Sequence, residues 1–394
     1  MRAVTKTTVK RAFKYRFYPT EGQAAELSRT FACVRLVYNM ALAARVTAWN
    51  GERRRVTFSD TSSMLTAWKK TEELGFLRDV SSVPLQQTLR HLHSAFGNFF
   101  ANRARHPRFK SRKRSRASAE YTRSAFRWRE GRLSLAKMTE PLAIVWSRPL
   151  PDGSEPSTIT VSRDSAGRWF VSMLVETTVH HYAPVSAVVG LDVGLSALVT
   201  LSTGEKIVNS RHERKHREQL ARAQRALHRK PKGSANRQRA RLKVARVNAR
   251  IADRRRDFLH KLSTRLTREN QAVVVEDLNV RGMLGNRSLA RAISDASWSE
   301  LRRMLVYKAA WYGREVIAVN QWFPSTKTCS ACERVVEELP LKVRTWTCLC
   351  GAVHDRDVNA AKNVLAAGLA VAACGDGVRP TRRELVRQPS KLPT

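Results

Sequence analysis

The sequence is short of acid. Asp and Glu number 33 against 72 Lys and Arg, a formal net charge of +39. Such an excess repels itself in a folded chain unless a polyanion is bound, so nucleic acid stands first among partners and an anionic membrane surface second. Long apolar runs are also missing. No stretch approaches the ~20 apolar residues of a membrane span, and the start MRAVTKTTVKRAFKYRFYP lacks the apolar core of a signal peptide. No membrane partner is therefore expected, and a cytoplasmic location is. Cysteine is scarce, six in 394 residues. In a reducing compartment these thiols form no disulfide framework, and clustered ones read as metal ligands. Cys33 and Cys374 stand apart and read as ordinary thiols. What the chain does have is 42 % hydrophobic residues, enough for two or three domains with real cores.

The fold class expected is α+β and multidomain. AFKYRFYPTEGQ reads as a strand, a turn and a helix start, with Thr20 and Gln23 as a capping box. Leu27, Phe31, Val34, Tyr38 and Leu42 then recur at helical spacing. A second helix reads from Leu85 through Leu89, Leu92, Phe96 and Phe99, followed by the basic loop RARHPRFKSRKRSR. EYTRSAFRWREGRLSLAKM and STITVSRDSAGRWFVSMLVETT read as strands with Gly-containing turns, so residues 1–180 make a mixed β and helical module. VVGLDVGLSALVTLSTGEKIV predicts two strands joined at Thr203–Gly204. Residues 211–270 predict a basic helical pair with Val244, Val247, Ile251, Phe258 and Leu262 as its apolar stripe. QAVVVEDLNV and VIAVNQWF predict strands, SWSELRRMLVYKAAWYGREV a helix between them, and a last helix runs from Asp357 to about Leu369. The tail 376–394 has no periodicity and reads as disordered.

Two core-like strands each carry an acid, Asp192 in VVGLDVG and Glu276 in VVVEDLN. One such acid is best explained by a strand end or an ion pair. Two, with further aspartates at Asp355 and Asp357, point elsewhere, because buried charges need a partner or a metal. Strand, acid, returning strand, helices, then a parallel strand ending in acid is the order of a ribonuclease H-like sheet. In that sheet the two strands are neighbours. Clustered carboxylates of this kind suit two hard divalent cations and phosphodiester cleavage. Cys329-x-x-Cys332 and Cys348-x-Cys350 supply four soft ligands, a closed structural Zn2+ site with an irregular second pair. The knuckle lies directly ahead of Asp355 and Asp357, as if to hold a third carboxylate in place.

GLDVG, VVVEDLNV, FPSTKTCSAC and HDRDVNAAKNVL resemble the three RuvC motifs and zinc finger of the TnpB family, RNA-guided nucleases of insertion sequences related to type V CRISPR effectors. YRFYPTEGQ, LVYN, PRFKSR, GRWFVS and RRRDFLHKLS extend the likeness over nearly all the chain. The resemblance implies a β-barrel-like wedge domain over 1–180 with a helical recognition insertion at about 21–110, then a RuvC domain over 181–375 with a zinc and target-nucleic-acid module at 324–354. It implies a guide RNA from the transposon end, double-stranded target DNA beside a short motif, a monomeric ribonucleoprotein and magnesium-dependent cutting. It assigns the metal-binding, catalytic carboxylates to Asp192, Glu276 and Asp357, and places Arg344 near the scissile phosphate. Other readings of the same residues are a DNA-strand transposase and a catalytically silent nucleic-acid-binding regulator.

Residues 211–256 hold 18 Lys or Arg against 3 Asp or Glu, too few acids for self-pairing. Arg237, Arg239, Arg241, Lys243, Arg246, Arg250 and Arg254 are candidates to follow the phosphates of a guide–target heteroduplex. Gln86, Gln87, Tyr121, Phe126 and Trp128 are candidates to face the duplex beside the target.

Overall fold

The structure, a computed structural model, describes residues 6–113, 115–340 and 342–373. Cys374 and the tail expected to be disordered lie outside them. The chain divides into an amino unit, Thr8–Thr178, and a carboxy unit that starts at Val179.

The amino unit is built on strands β1 (Lys6–Phe17), β2 (Ala117–Thr122), β3 (Phe126–Arg129), β4 (Arg132–Leu135), β5 (Ile144–Val145), β6 (Pro156–Arg163) and β7 (Trp169–His180). Five of them form one sheet in the order β2-β6-β7-β1-β5, and β3–β4 is a separate hairpin whose turn holds Gly131 at φ +74°. Between β1 and β2 stand helices α1 (Glu21–Glu52), α2 (Phe58–Trp68) and α3 (Ser82–Phe100). The Thr20–Gln23 capping box forms in both directions. Leu27, Phe31, Val34, Tyr38 and Leu42 are all buried and share one core with Leu85, Leu89, Leu92 and Phe96. Helix α1 corrects one expectation, for it is long and apolar enough to cross a membrane by length and composition. Its apolar face packs into this core instead, which is the burial a core helix needs. The short α2 turns Phe58, Thr61, Leu65 and Trp68 toward the same core. It rests on a second capping box, Thr57 with Asp60.

The carboxy unit has strands β8 (Val188–Val193), β9 (Ala197–Leu201), β10 (Lys206–Val208), β11 (Ala272–Glu276) and β12 (Glu315–Val319), in the order β10-β9-β8-β11-β12. β8 runs antiparallel to β9 and parallel to β11, which is parallel to β12. Gly204 turns β9 into β10 at φ +96°. Helices α4 (His212–His228) and α5 (Ala235–Glu269) form the basic pair, followed by α6 (Val280–Met283), α7 (Ala290–Ala296) and α8 (Trp298–Tyr312). A hairpin of β13 (Thr345–Thr347) and β14 (Val353–Asp355) leads directly into α9 (Arg356–Ala373).

The sheet is covered on both faces, and strand alternation assigns each residue a side. Val189, Leu191, Val273 and Val275 pack with Leu259, Leu262 and Leu266 of α5 and Leu301 and Leu305 of α8. Val274 and Ile317 pack on the opposite face with Val364 of α9. Two glycines let α9 lie this close. A Cβ at Gly190 would stand 2.3 Å from the Ala361 carbonyl oxygen, and one at Gly368 2.3 Å from a Val274 methyl. Two expected boundaries shift. β12 stops at Val319, because Asn320 turns the chain out of the sheet by accepting a bond from Trp322 N at 3.0 Å. α9 runs on to Ala373, the last described residue, through an alanine-rich segment that favours helix.

Candidate active site and cysteine cluster

Asp192 and Glu276 occupy the same end of neighbouring parallel strands. Val275 pairs with Leu191, and one step further along lie Glu276 and Asp192. By alternation both side chains fall on the face that α9 covers, and Asp357 sits in the first turn of α9. Three carboxylates distant in sequence thus meet at one end of the sheet. The electrostatics agree. Burial, then Glu276, then Asp357 push the Asp192 carboxyl well above the usual carboxylate range, and Arg356 and Arg344 only partly offset them. Burial also raises Glu276, against a hydrogen bond that Ser325 Oγ donates to its Oε1 at 2.6 Å. Repelling carboxylates without a full complement of cations are the donor set expected of a site for hard divalent metals. Arg344 is exposed, with Nη1 3.5 Å from Asp357 Oδ1.

Asp355 is placed differently. It forms an ion pair with Lys206 Nζ at 2.6 Å, and its Oδ1 accepts from Val358 N at 3.0 Å, capping α9. Burial works to raise its carboxyl, but Lys206 and the Val358 N–H prevail and hold it below the usual range. Its charge is already spoken for, whereas that of Asp357 adds to the repulsion at Asp192.

The four cysteines gather as well. The sulfurs of Cys329, Cys332, Cys348 and Cys350 lie within 4.8 Å of one another, with Cys329–Cys350 and Cys332–Cys348 at 3.7 Å. Zn–S bonds of about 2.3 Å in a tetrahedron place sulfurs about 3.8 Å apart, so the set fits zinc in spite of the irregular second pair. The thiols pull each other apart. Burial raises Cys329, but the Ala331 and Cys332 N–H groups and the His354 ring bring it down to about 6. At Cys332 the Arg334 N–H acts to lower the thiol, yet the neighbouring sulfurs push it up to about 12. Cys329 and Cys332 are thus driven in opposite directions by the same close packing of sulfurs. Cys33 is buried by itself in the amino unit, and burial raises it.

Several residues that bind these sites together carry no sequence signal as single letters. Asn359 donates to Thr328 O at 2.7 Å and accepts from Ser330 N at 2.9 Å, and Asn363 donates to Ser325 O and Thr328 O at 2.8 and 2.6 Å. One face of α9 therefore grips the loop holding both Ser325 and Cys329. The spacing of four between the asparagines in NAAKN is the trace that could have revealed it. Arg356 N donates to Arg344 O at 2.8 Å and its guanidinium to Pro340 O at 2.7 Å, tying the knuckle to the helix start. His354 is buried against Trp346, with Nε2 3.0 Å from Cys329 Sγ.

The candidate nucleic-acid residues divide. Arg239, Arg241, Lys243, Arg246, Arg250 and Arg254 are exposed along α5. Arg237 instead clasps the turn between α4 and α5 through Leu227 O and Lys230 O at 3.1 and 2.6 Å. In the amino unit Gln86 is exposed and Gln87 half-buried on α3, while Phe126 and Trp128 pack partly against the core. Tyr121 is a correction. Only 1 % exposed, it lies inside that core, because alternation along β2 turns its ring inward. It cannot face a duplex.

Three family profiles match the chain, described as "Probable transposase" over residues 171–287, "Cas12f1-like, TNB domain" over 298–364 and "Helix-turn-helix domain" over 7–54. The last of these segments holds β1 and α1. A solved structure titled as a Cas12f1–sgRNA–target DNA complex is similar in fold, with a TM-score of 0.56 at 12 % identity, covering 91 % of this chain and 98 % of that one. A Streptomyces pristinaespiralis protein named "Putative RNA-guided DNA endonuclease" is 69 % identical over 95 % of this chain and 93 % of its own. "Putative RNA-guided DNA endonuclease InsQ" of Escherichia coli K12 is 34 % identical over 97 % of this chain and 98 % of its own. Matched from end to end at such identities, the chain belongs to the TnpB family.

Proposed function

We propose that the protein is an RNA-guided DNA endonuclease that cuts double-stranded DNA at the Asp192–Glu276–Asp357 site. The observation that carries this reading is the convergence of these acids at one end of the sheet, where Glu276 and Asp357 both disfavour the charge of Asp192. With two divalent cations bound, Mg2+ or Mn2+, such a site supplies an activated water and a stabilised leaving oxygen for phosphodiester hydrolysis. The chain's own groups orient the acids. Ser325 fixes the Glu276 carboxylate, the Asp355 cap and Lys206 fix the first turn of α9, and the zinc knuckle fixes the segment ahead of it. Arg344 is the cation nearest Asp357 able to meet a phosphate oxygen. A zinc held by the four cysteines would be structural, since they would leave no open position for water.

The exposed arginines of α5 follow the phosphates of a guide–target heteroduplex by shape and charge. The amino unit acts as wedge and recognition module and reads the motif beside the target, with Gln86, Gln87, Phe126 and Trp128 as its candidates. The protein works as a monomeric ribonucleoprotein in the cytoplasm, with a guide transcribed from the end of its element, and supports the element's maintenance. A silent regulator has no use for three converging acids. The test is to purify the protein with its RNA, sequence that RNA, and present guide-matched and mismatched plasmids with Mg2+. Cutting of the matched plasmid alone supports the proposal. A complex that binds the match but never cuts it would sink the nuclease reading.

A further inference from the structure

Trp322 is 82 % exposed, more open than any other described aromatic residue. An indole left in water forgoes a large burial gain, so its outward position asks for a reason. The loop holds it there. Asn320 Oδ1 accepts from Trp322 N at 3.0 Å, while the next residue, Phe323, turns inward against the Val274–Ile317–Val364 core. Two adjacent aromatics thus point opposite ways from a fixed turn.

The place of this loop matters more than its exposure. It leaves β12 at Val319, the register partner of Glu276, and returns three residues after Trp322 to place Ser325 Oγ on the Glu276 carboxylate. Asp277 N ties the other side by donating to Val319 O at 2.9 Å. Between the two strand ends lies a cavity of about 400 Å³, lined by Asp277, Leu278, Asn279, Asn320, Gln321 and Trp322. The lining has an aromatic face and three side-chain amides but no cation. Its one charge, Asp277, is paired with Arg302. Such a surface suits a flat ring with hydrogen-bonding edges and offers a phosphate no cation of its own.

We infer that Trp322 and this cavity form a nucleobase subsite, which stacks one unpaired base of the strand whose backbone crosses the acids. A base in a duplex has both faces covered, so the occupant must be single-stranded. Stacking on an aromatic side chain is worth about 1–3 kcal/mol per base and tolerates any sequence, as a nuclease directed by a guide requires. The inference rests on the nuclease reading for its role, but not for its binding chemistry.

The test uses the RNA-loaded protein carrying Asp192→Ala, so that nothing is cut, at elevated salt to suppress phosphate-only binding. The probes are a short single-stranded DNA with one 2-aminopurine, the same strand with an abasic site at that position, and a guide-matched duplex. Sliding the 2-aminopurine along the strand should find one position whose fluorescence is quenched on binding. Trp322→Ala should abolish that quenching and weaken the strand by about tenfold or more. Trp322→Phe should restore most of both, and the abasic strand should bind the Trp322 protein as weakly as the intact strand binds Trp322→Ala. Duplex binding and thermal unfolding should not move. Quenching that survives Trp322→Ala, or an abasic strand bound as tightly as the intact one, overturns the subsite. If the protein with Asp192 intact fails to cut matched DNA while these binding results hold, the nuclease reading fails and the subsite stands.

Discussion

The acid cluster and the cysteine cluster are both donor sets that repel themselves, yet they are assembled in opposite ways. The cysteines lie within 22 residues, from Cys329 to Cys350. Their meeting needs only a local loop and a hairpin. The acids span Asp192 to Asp357 and meet only because β8, β11 and α9 are packed in one register. A short-range site can be built with few contacts, provided a strongly bound ion supplies the energy. A long-range site needs no ion to assemble, but the fold must hold like charges together without one. The knuckle joins the two strategies, since β14 runs from the cysteines through Asp355 into the first turn of α9.

The sharpest way to break this comparison is at the two aspartates that end it. Asp192→Ala, Glu276→Ala and Asp357→Ala should each lower the cutting rate by 10³-fold or more, a barrier increase of about 4 kcal/mol, while RNA and target binding remain. Asp355→Ala loses a cap and an ion pair, not a metal ligand, and should retain substantial activity. Single-turnover cleavage beside filter binding measures both. An inactive Asp355→Ala with an active Asp357→Ala would reverse the assignment.

The next largest effect belongs to the sulfurs. About one zinc per chain should survive a brief chelator wash, and Cys332→Ser or Cys348→Ser should lose it. The knuckle should then become sensitive to protease, because structural zinc contributes roughly 10–16 kcal/mol to small modules that depend on it. Cys33→Ser, remote and buried, should leave zinc content unchanged, as should Cys374→Ser. His354→Phe probes the second layer. Removing its contact with Cys329 should weaken zinc by about 10–100-fold in chelator competition.

These two sites were not equally legible in the sequence. Paired cysteines at close spacing announce a metal site by arithmetic, and the structure adds only His354 and the 3.7 Å sulfur contacts. The acids were legible as strand-borne charges, and the strand order made Asp192 and Glu276 neighbours. Spacing alone left Asp355 and Asp357 open, because both sit at one helix start. Lys206 and the Val358 N–H engage Asp355, whereas Asp357 acts on Asp192, and Lys206 is 149 residues from Asp355. Helices α1 and α3 followed from their periodic apolar faces. Tyr121 misled because an aromatic in a short strand reads alike on either face until the sheet's partner is known. The loop after Val319 misled for a related reason, since apolar letters continue through WF although the strand has ended.

The packing that holds the acids can be tested without touching them. Gly190→Ala puts a methyl against the Ala361 carbonyl and the Leu365 backbone nitrogen, at 2.3 and 2.7 Å. Backbone cannot yield as a side chain does, so α9 must shift. A cost of about 1–3 kcal/mol is expected, with cutting reduced because Asp357 moves with the helix. Gly204→Ala is the control. Its Cβ meets open space, but its φ of +96° disfavours any side chain. It should cost ~1 kcal/mol and leave cutting per folded molecule unchanged. Equal loss of activity in both would mean that α9 does not position the site.

The smallest effect is the most specific to the acid cluster, and it concerns pH. Asp192 holds its proton to a pH well above the usual carboxylate range in the folded protein, because burial and then Glu276 and Asp357 disfavour its charge. Between its unfolded and folded values the native state binds more protons than the unfolded one, so stability falls as pH rises through that window. The penalty therefore grows as pH rises from the acid range toward neutrality. Asp192→Asn removes it, and should raise the unfolding temperature of protein without added divalent cation near pH 7 but not near pH 4. Added Mg2+ should close the gap by stabilising the parent alone, since binding only the folded state raises its stability. The comparison must be made by titrating Mg2+ into the protein, not by adding chelator, which would strip the cysteines as well. If Asp192→Asn and the parent unfold alike at both pH values, the three carboxylates do not share one field. The contrast between a site assembled by its ion and a site assembled against its own charge would then be lost.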